Sequence, residues 1–416
     1  MEIDLKLNVS GATRYDKVSY PVHYGRLVQI TTSGHCFQFN LNGEIKYLQG
    51  TGRNWPHPSE WLKRTAGNHW VYYDSDSYNQ VFDYLGEYYL PYFMYPSNHL
   101  GRANPFLEAS VQEALSAFRG LPGELRDALE TDHWSAEEKA FLLKAIALDD
   151  RKLAERAAQL AALLKGSVNV LPPDSRHVDY DCIPLNIADG CLYHCSFCRV
   201  KSNQNFQVRS PGNILEQLLK IRDFYGPDLS NYNSLFLGRH DALNCGGEMI
   251  VWAALQAYEL LDFKRSYLEE SFLFLFGSVD SFLKSKDRLF ESLNQLPYRT
   301  YLNLGLESAD QETLDLLGKP LKVEKVEEAF LRLSEINRKY DRLEVTANFV
   351  IDLKLPTGHW EALSRLSQEF FPHYSDKGVI YLSPLNPVGR RELLTRFQQL
   401  KIKSRRPLYL YLLQRL

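Results

Sequence analysis

The sequence predicts an α/β protein: an incomplete, TIM-like (β/α)6 barrel preceded by a β-rich (α+β) domain and a helical linker. Three patterns carry that prediction. From residue 181 onward, short unbroken apolar runs alternate with helix-period segments, six times over about two hundred residues. Runs that are apolar throughout, rather than at alternate positions, mark parallel strands covered on both faces. Six steps fall short of the eight that close a barrel, so the sheet is expected to stay open on one side. Upstream, turn dipeptides between alternating segments mark antiparallel hairpins. Between the two regions, a capping signal opens a helical stretch, and Pro172-Pro173 marks the boundary that follows it. At 416 residues the chain exceeds one average domain. The expected divisions are a β-rich aromatic domain over 1–120, a linker over 121–172, the partial barrel over 173–387 and a basic helical tail over 388–416.

In order along the chain, 26–50 reads as a three-strand meander: 27–31, a turn at Ser33-Gly34, 36–41, the dipeptide Asn42-Gly43, then 44–48. A short helix is expected from Ser59 to a stop at Gly67. The segment 70–95 carries eleven Trp, Tyr or Phe among twenty-six residues. Such density suits base stacking, yet no Lys or Arg lies between Arg64 and Arg102, while Asp74, Asp76, Asp83 and Glu87 do. A packed β-rich core is therefore preferred to a substrate-contacting wall or a nucleic-acid face. Ser135-Ala-Glu-Glu138 is a capping box opening a helical run to Lys165, with Gly166 as its stop and a break expected near Asp149-Asp150. Strands are expected at 182–187, 234–237, 272–276, 301–306, 345–351 and 379–382. Helices are expected at 211–224, 248–261, 281–293, 323–340 and 360–371.

Composition excludes several classes. A formal charge of −3 announces no polyanion partner, although from 388 to 416 eight Arg or Lys face the single Glu392. No basic, apolar leader and no long uncharged apolar window occurs, so a cytoplasmic protein without membrane contact is expected. Of six cysteines, Cys36, Cys182 and Cys245 are too scattered for a disulfide framework.

The other three cysteines form Cys191-Leu-Tyr-His-Cys195-Ser-Phe-Cys198, in a loop just past the first barrel strand, where the active sites of α/β barrels sit. Structural zinc sites close four ligands into a tetrahedron. Three thiolates around an iron–sulfur cube leave one iron open to a non-protein ligand. A zinc knuckle borrowing His194, Cys182 or His35 is the alternative.

The CxxxCxxC triplet, with Gly190 before it and Phe197 before the last cysteine, resembles the signature of the radical S-adenosylmethionine (radical SAM) enzymes, which share the partial (β/α)6 barrel. The resemblance covers 181 to about 387. It implies a [4Fe–4S] cluster held by Cys191, Cys195 and Cys198. It further implies S-adenosylmethionine as cofactor, cleaved to a 5′-deoxyadenosyl radical that abstracts hydrogen from substrate. Gly238 and Asp241, in Gly238-Arg-His-Asp-Ala242, stand where such enzymes meet the methionine moiety, and His240 is a second candidate there. Ser278 and Asp280 are placed for the ribose or for capping the next helix. Glu307, in Gly-Leu-Glu-Ser followed by Leu-Gly-Lys-Pro320, is placed for ribose or amino group, as in the branch containing anaerobic coproporphyrinogen dehydrogenase and the methylthiotransferases. Asn348, Val350 and Leu382 are placed to flank adenine, and Phe197 to cover the cluster and the adenine edge. Arg199 is placed to pair with the cofactor carboxylate or to remain a solvated ion pair. The displaced Gly-Gly-Glu248 is a weaker candidate. Cys245 and Cys36 are readable as hydrogen-returning thiols or, as buried cysteine usually is, as small apolar residues. The implied partners are a small-molecule or peptide substrate and an electron donor such as flavodoxin or ferredoxin. RNA, reached through the basic tail, is the less favoured substrate.

Overall fold

The computed structural model describes residues 3–15, 23–74, 90–93, 104–130, 133–193, 195–198, 204–368, 375–386, 390–412 and 416. The middle of the aromatic segment (75–89), Tyr95, Arg102, His194 and Arg199 lie outside the described residues.

The amino-terminal part is an antiparallel meander of seven strands in sequential order. They are β1 (Asp4–Ser10), β2 (Arg26–Thr31), β3 (His35–Phe39), β4 (Ile45–Gly50), β5 (Trp61–Arg64), β6 (Trp70–Asp74) and β7 (Leu90–Phe93). The expected hairpins are present, but the helix expected from Ser59 is strand β5. Its cause is tertiary: the Glu60 carbonyl accepts Gln49 Nε2 and Trp55 Nε1, each at 3.0 Å, and the Glu60 carboxylate takes the Tyr72 hydroxyl. These bonds pin 61–64 between β4 and β6.

Helices α1 (Ala109–Leu129), α2 (Ala136–Ala147) and α3 (Asp150–Leu163) follow. The capping box at Ser135 and Glu138 opens α2, and Asp149 caps α3, as the sequence predicts. Helix α1 is not foreseen and crosses the boundary expected at 120. Its buried stripe of Val111, Ala114, Leu115, Phe118, Leu121 and Leu125 outweighs the cost of Pro122 inside it.

The parallel sheet has the order β16-β15-β14-β13-β12-β11-β8. Its members are β8 (Ile183–Leu185), β11 (Ser234–Leu237), β12 (Phe272–Gly277), β13 (Arg299–Glu307), β14 (Leu343–Ile351), β15 (Ile380–Pro384) and β16 (Leu408–Leu410). A two-stranded ribbon, β9 (Ala188–Asp189) with β10 (Gln207–Val208), brackets the cysteine loop. The crossover helices are α4 (Pro211–Tyr225), α5 (Gly247–Leu260), α6 (Val279–Lys284), α7 (Asp287–Gln295), α8 (Gln311–Leu316), α9 (Val323–Lys339), α10 (Thr357–Gln368) and α11 (Arg390–Lys403). All six expected strands occur. The tail expected to be only helical adds a seventh, β16, parallel to β15. Its cations serve the fold: Arg396 pairs with Glu392 and lies over Trp360, and Arg406 donates to the Lys377 carbonyl.

The edge strands β8 and β16 do not pair, so the barrel is open between them. The segment 164–178 crosses that opening. Asn186 and Arg209 donate to the Leu164 carbonyl, Arg239 to Ser167, and the Tyr411 hydroxyl to Leu171. Lower down, Asp174 reaches inside and accepts from Thr346 at 3.0 Å and Tyr381 at 2.6 Å. The linker thus fills the gap that six or seven strands leave.

The antiparallel sheet packs at the amino ends of the parallel strands, opposite the cysteine loop. Lys63 Nζ lies 2.7 Å from Asp179 Oδ2 and 3.1 Å from Asp181 Oδ2, and Lys46 pairs with Asp181 at 3.0 Å. Tyr47 and Tyr73 donate to the two oxygens of Asp179. Asp228 and Asn231, just before β11, bind Leu41 and Arg26. Buried charges of this kind persist only when mutually paired. Trp70, Tyr72 and Tyr73 therefore belong to a supporting layer, not to the mouth of the barrel.

Candidate active site

The cysteine loop is shaped by short-range geometry and then stitched to the rest of the barrel. Gly190 has φ +78°, and a Cβ there would meet the Asn205 carbonyl oxygen at 2.1 Å, so only glycine fits the turn into Cys191. Buried Arg209 grips Asp189 through two bonds of 2.7 and 2.6 Å and fixes the base of the ribbon. Ser196 donates its N–H (3.1 Å) and hydroxyl (2.6 Å) to the Leu317 carbonyl. Tyr193 donates to Asp280 Oδ2 at 2.5 Å, and Lys325 holds the other oxygen of Asp280 at 2.6 Å. The loop is thereby tied to α6, α9 and the turn after α8.

Cys191, Cys195 and Cys198, all free thiols, line one cavity of about 250 Å³ at the carboxyl ends of the parallel strands. Burial pushes the Cys195 thiol up to about 11, while nearby Lys319 works against that rise. Among the described residues, no three His, Cys, Asp or Glu side chains converge as a single-ion site. Cys182 sits at the start of β8, and His35 is in β3 of the other sheet; neither lines this cavity, and the zinc knuckle is left without them.

Of the other expected site residues, Phe197, Asp241, Ser278, Glu307, Asn348 and Val350 line the same cavity. Gly238, Asp280 and Leu382 are not among its lining residues. Gly238, at φ +83°, turns the chain off β11 and donates its N–H to the Leu185 carbonyl. Leu382 is buried within β15, and Asp280 is committed to Tyr193 and Lys325. Ser278 faces the cavity but caps α6 in a reciprocal box with Ser281. Glu248 lies in the first turn of α5, outside the cavity. Cys245 and Cys36 are also outside it, and burial raises their thiols to about 12 and about 11.

Two carboxylates dominate the wall. Asp241 Oδ1 accepts the Ser278 N–H at 2.9 Å and the Ser281 hydroxyl at 2.8 Å. Its Oδ2 is buried with no partner among the described residues, and burial lifts its carboxyl above the ordinary range. Glu307 ends β13 in the left-handed region at φ +66°, beside a register shift against β14. A non-glycine residue held there stores strain, a common mark of functional positions. Its Oε1 meets Lys319 Nζ at 3.2 Å, and its Oε2 accepts from Asn348 at 3.4 Å, which in turn accepts from Ser383 at 2.9 Å. Burial alone would pull the Lys319 ammonium down, but Glu307 and Cys195 hold it above the ordinary lysine value.

Sequence reasoning did not single out Lys319, Tyr193, Asn303, Val170 or Tyr411, all of which line the cavity. Leu-Gly-Lys-Pro was noted only for its pattern, and Val170 and Tyr411 arrive through the linker and the strand β16. His240 is also on the wall; burial, with Arg239 beside it, holds its imidazole down at about 4, so it is neutral at pH 7.

Residues 185–363 match the family model of the Radical SAM superfamily. No curated protein sequence matches the chain. Among solved structures it is similar to a radical SAM methyltransferase from Sphaerobacter thermophilus, at 16% identity over 55% of this chain and 65% of that one, with a TM-score of 0.35. It is similar to methylornithine synthase (PylB) at 12% identity over 64% of each chain, TM-score 0.32. A third is SuiB of Streptococcus suis, at 13% identity over 85% of this chain and 71% of that one, TM-score 0.36. The chain spans less than two thirds of the first two proteins.

Proposed function

We propose, on the premise that residues 185–363 are a radical SAM domain, that this chain is an enzyme that reductively cleaves S-adenosylmethionine. The resulting 5′-deoxyadenosyl radical is turned on a C–H bond of a small-molecule or peptide substrate. Radical SAM enzymes use a [4Fe–4S] cluster, which when bound supplies an open iron and one electron for breaking the sulfonium C–S bond. The observation that carries the reading is the position of three free cysteines on the wall of one cavity at the strand ends. Iron–sulfur clusters are held by cysteine thiolates, which suits a donor set of three free cysteines on one cavity wall.

The remaining work falls to this chain's own residues. The unpartnered Asp241 Oδ2 accepts the cofactor's ammonium group, satisfying a buried oxygen that is otherwise costly. Glu307, oriented by Lys319 and Asn348, accepts from the ribose diol. Phe197 packs with Leu317, Val350 and Leu355 into an apolar patch that covers the adenine edge and excludes water. Gly238 turns the chain off β11 ahead of Asp241, and Ser278, on the cavity wall, holds Asp241 through its N–H. The protein sets geometry while the cofactors carry the hard chemistry.

The test is product analysis. Anaerobically purified protein given S-adenosylmethionine and dithionite should yield 5′-deoxyadenosine and methionine, and Cys195→Ala should yield neither. Equal product from both proteins would end the proposal.

A further inference from the structure

A second cavity, of about 730 Å³, opens on the outside of the barrel where the amino end of α5 meets α6 and α7. Its floor is apolar, built from Val251, Trp252 and Leu289, with Leu255 41% exposed at the edge. Its rim carries Lys284, Lys286 and Arg288, all exposed, against one carboxylate, Glu248. None of these three cations forms an ion pair among the described residues, whereas their neighbours Lys325 and Arg332 are paired with Asp280 and Asp287.

The groove lies directly behind the cysteine-lined cavity. Asp241 lines the first and Ser281 the second, and the Ser281 hydroxyl donates to Asp241 Oδ1 at 2.8 Å. Leu243 of the second cavity also touches Gly277 of the first: a Cβ on that glycine would stand 2.8 Å from Leu243 Cδ2. One layer of side chains therefore separates surface from site.

We propose that this groove docks a small acidic electron-carrier protein that delivers the reducing electron. The inference rests on the function proposed above, which consumes one electron per cleavage. An apolar centre with a charged rim is the make-up of small, short-lived interfaces, in which charge steers encounter more than it adds affinity. Three unpaired cations select an acidic partner. One electron leaves the carrier, which is oxidised by that amount, and crosses the thin wall; no bond forms or breaks in the transfer.

The probe is reduced flavodoxin. Its binding to the cluster-loaded protein, measured by calorimetry at low salt, should weaken at least about tenfold in the triple variant Lys284→Glu, Lys286→Glu, Arg288→Glu, and wild-type binding should weaken as salt is added. Formation of 5′-deoxyadenosine should fall with flavodoxin as donor and stay unchanged with dithionite, which needs no docking surface. Unchanged flavodoxin affinity in the variant overturns the proposal. So does an equal loss with dithionite, which would assign these residues to the cofactor site. Tighter binding of single-stranded RNA than of flavodoxin, lost in the same variant, overturns it as well. A wild type that binds flavodoxin at this groove yet makes no 5′-deoxyadenosine with dithionite counts against the proposed function and leaves the docking surface standing.

Discussion

Replacing Lys319 with Met removes an ammonium whose Nζ lies 3.2 Å from Glu307 Oε1 and 3.0 Å from the Gly305 carbonyl. The two side chains are only 6% and 9% exposed, although both border the cavity, so the carboxylate left behind stays largely desolvated. Glu307 would keep a single 3.4 Å contact from Asn348 while its backbone stays in the left-handed region. Breaking a buried pair from one side costs about 3–5 kcal/mol, whereas replacing both partners with neutral groups is often close to neutral. Lys319→Met should therefore lose about 3 kcal/mol or more, and Lys319→Met with Glu307→Gln should recover most of it, a coupling of about 2 kcal/mol or more. Urea denaturation of cluster-free wild type, both single variants and the double variant, followed by tryptophan fluorescence, closes the cycle. A single-variant loss below about 1 kcal/mol, or a double variant whose losses simply add, would refute the claim that this pair organises the wall.

Asp241→Asn should weaken S-adenosylmethionine binding to the cluster-loaded protein by about 10- to 100-fold, the worth of one hydrogen bond to a charged group, as read by equilibrium dialysis; unchanged affinity would remove Asp241 from the cofactor site. Burial holds His359 down from 6.5 to about 4, with Ser308 Oγ at 2.8 Å from its Nδ1. Because the unfolded chain protonates first, the stability contributed by neutral His359 is complete above pH 6.5 and is lost as pH falls toward 4, by up to about 3 kcal/mol. His359→Gln should flatten the stability-versus-pH curve across that window, and an unchanged slope would count against it. Truncation after residue 387 should destabilise the whole barrel, since it removes β16 and the Tyr411 bond to Leu171; a truncated protein with unaltered thermal midpoint would contradict the role given to that strand.

The elements that the sequence announced are those whose cause is local. Unbroken runs such as 234–237 and 345–351 are strands because every face of them is covered, and Ser135 with Glu138 starts a helix through bonds to its own first turn. The failures have distant causes. Strand β5 is held by Gln49, Trp55 and Tyr72, against a local signal for a helix. The three residues of β16 are too few to register as a strand until β15 lies beside them. The expected helix at 281–293 is divided at Ser285-Lys286, where Arg332, about fifty residues on, donates to the carbonyls of Phe282, Leu283 and Ser285.

The site was legible in the same proportion. Strand-end reasoning brought Cys191, Cys195, Cys198, Asp241, Ser278, Glu307, Asn348 and Val350 to one cavity wall, whereas Gly238, Asp280 and Leu382, expected on the same grounds, do not line it. Lys319 could not be read in this way, because nothing in Leu-Gly-Lys-Pro says that its ammonium turns inward to meet a carboxylate twelve residues earlier. Nor could the placement of the antiparallel sheet, which depends on Lys46 and Lys63 finding Asp179 and Asp181 more than a hundred residues away.

The most direct test is metal analysis with electron paramagnetic resonance on anaerobically purified protein. The account predicts about four irons per chain, a reduced-cluster signal that changes shape when S-adenosylmethionine is added, and loss of both in Cys195→Ala. A colourless protein holding stoichiometric zinc, or a cluster signal indifferent to S-adenosylmethionine, would contradict it.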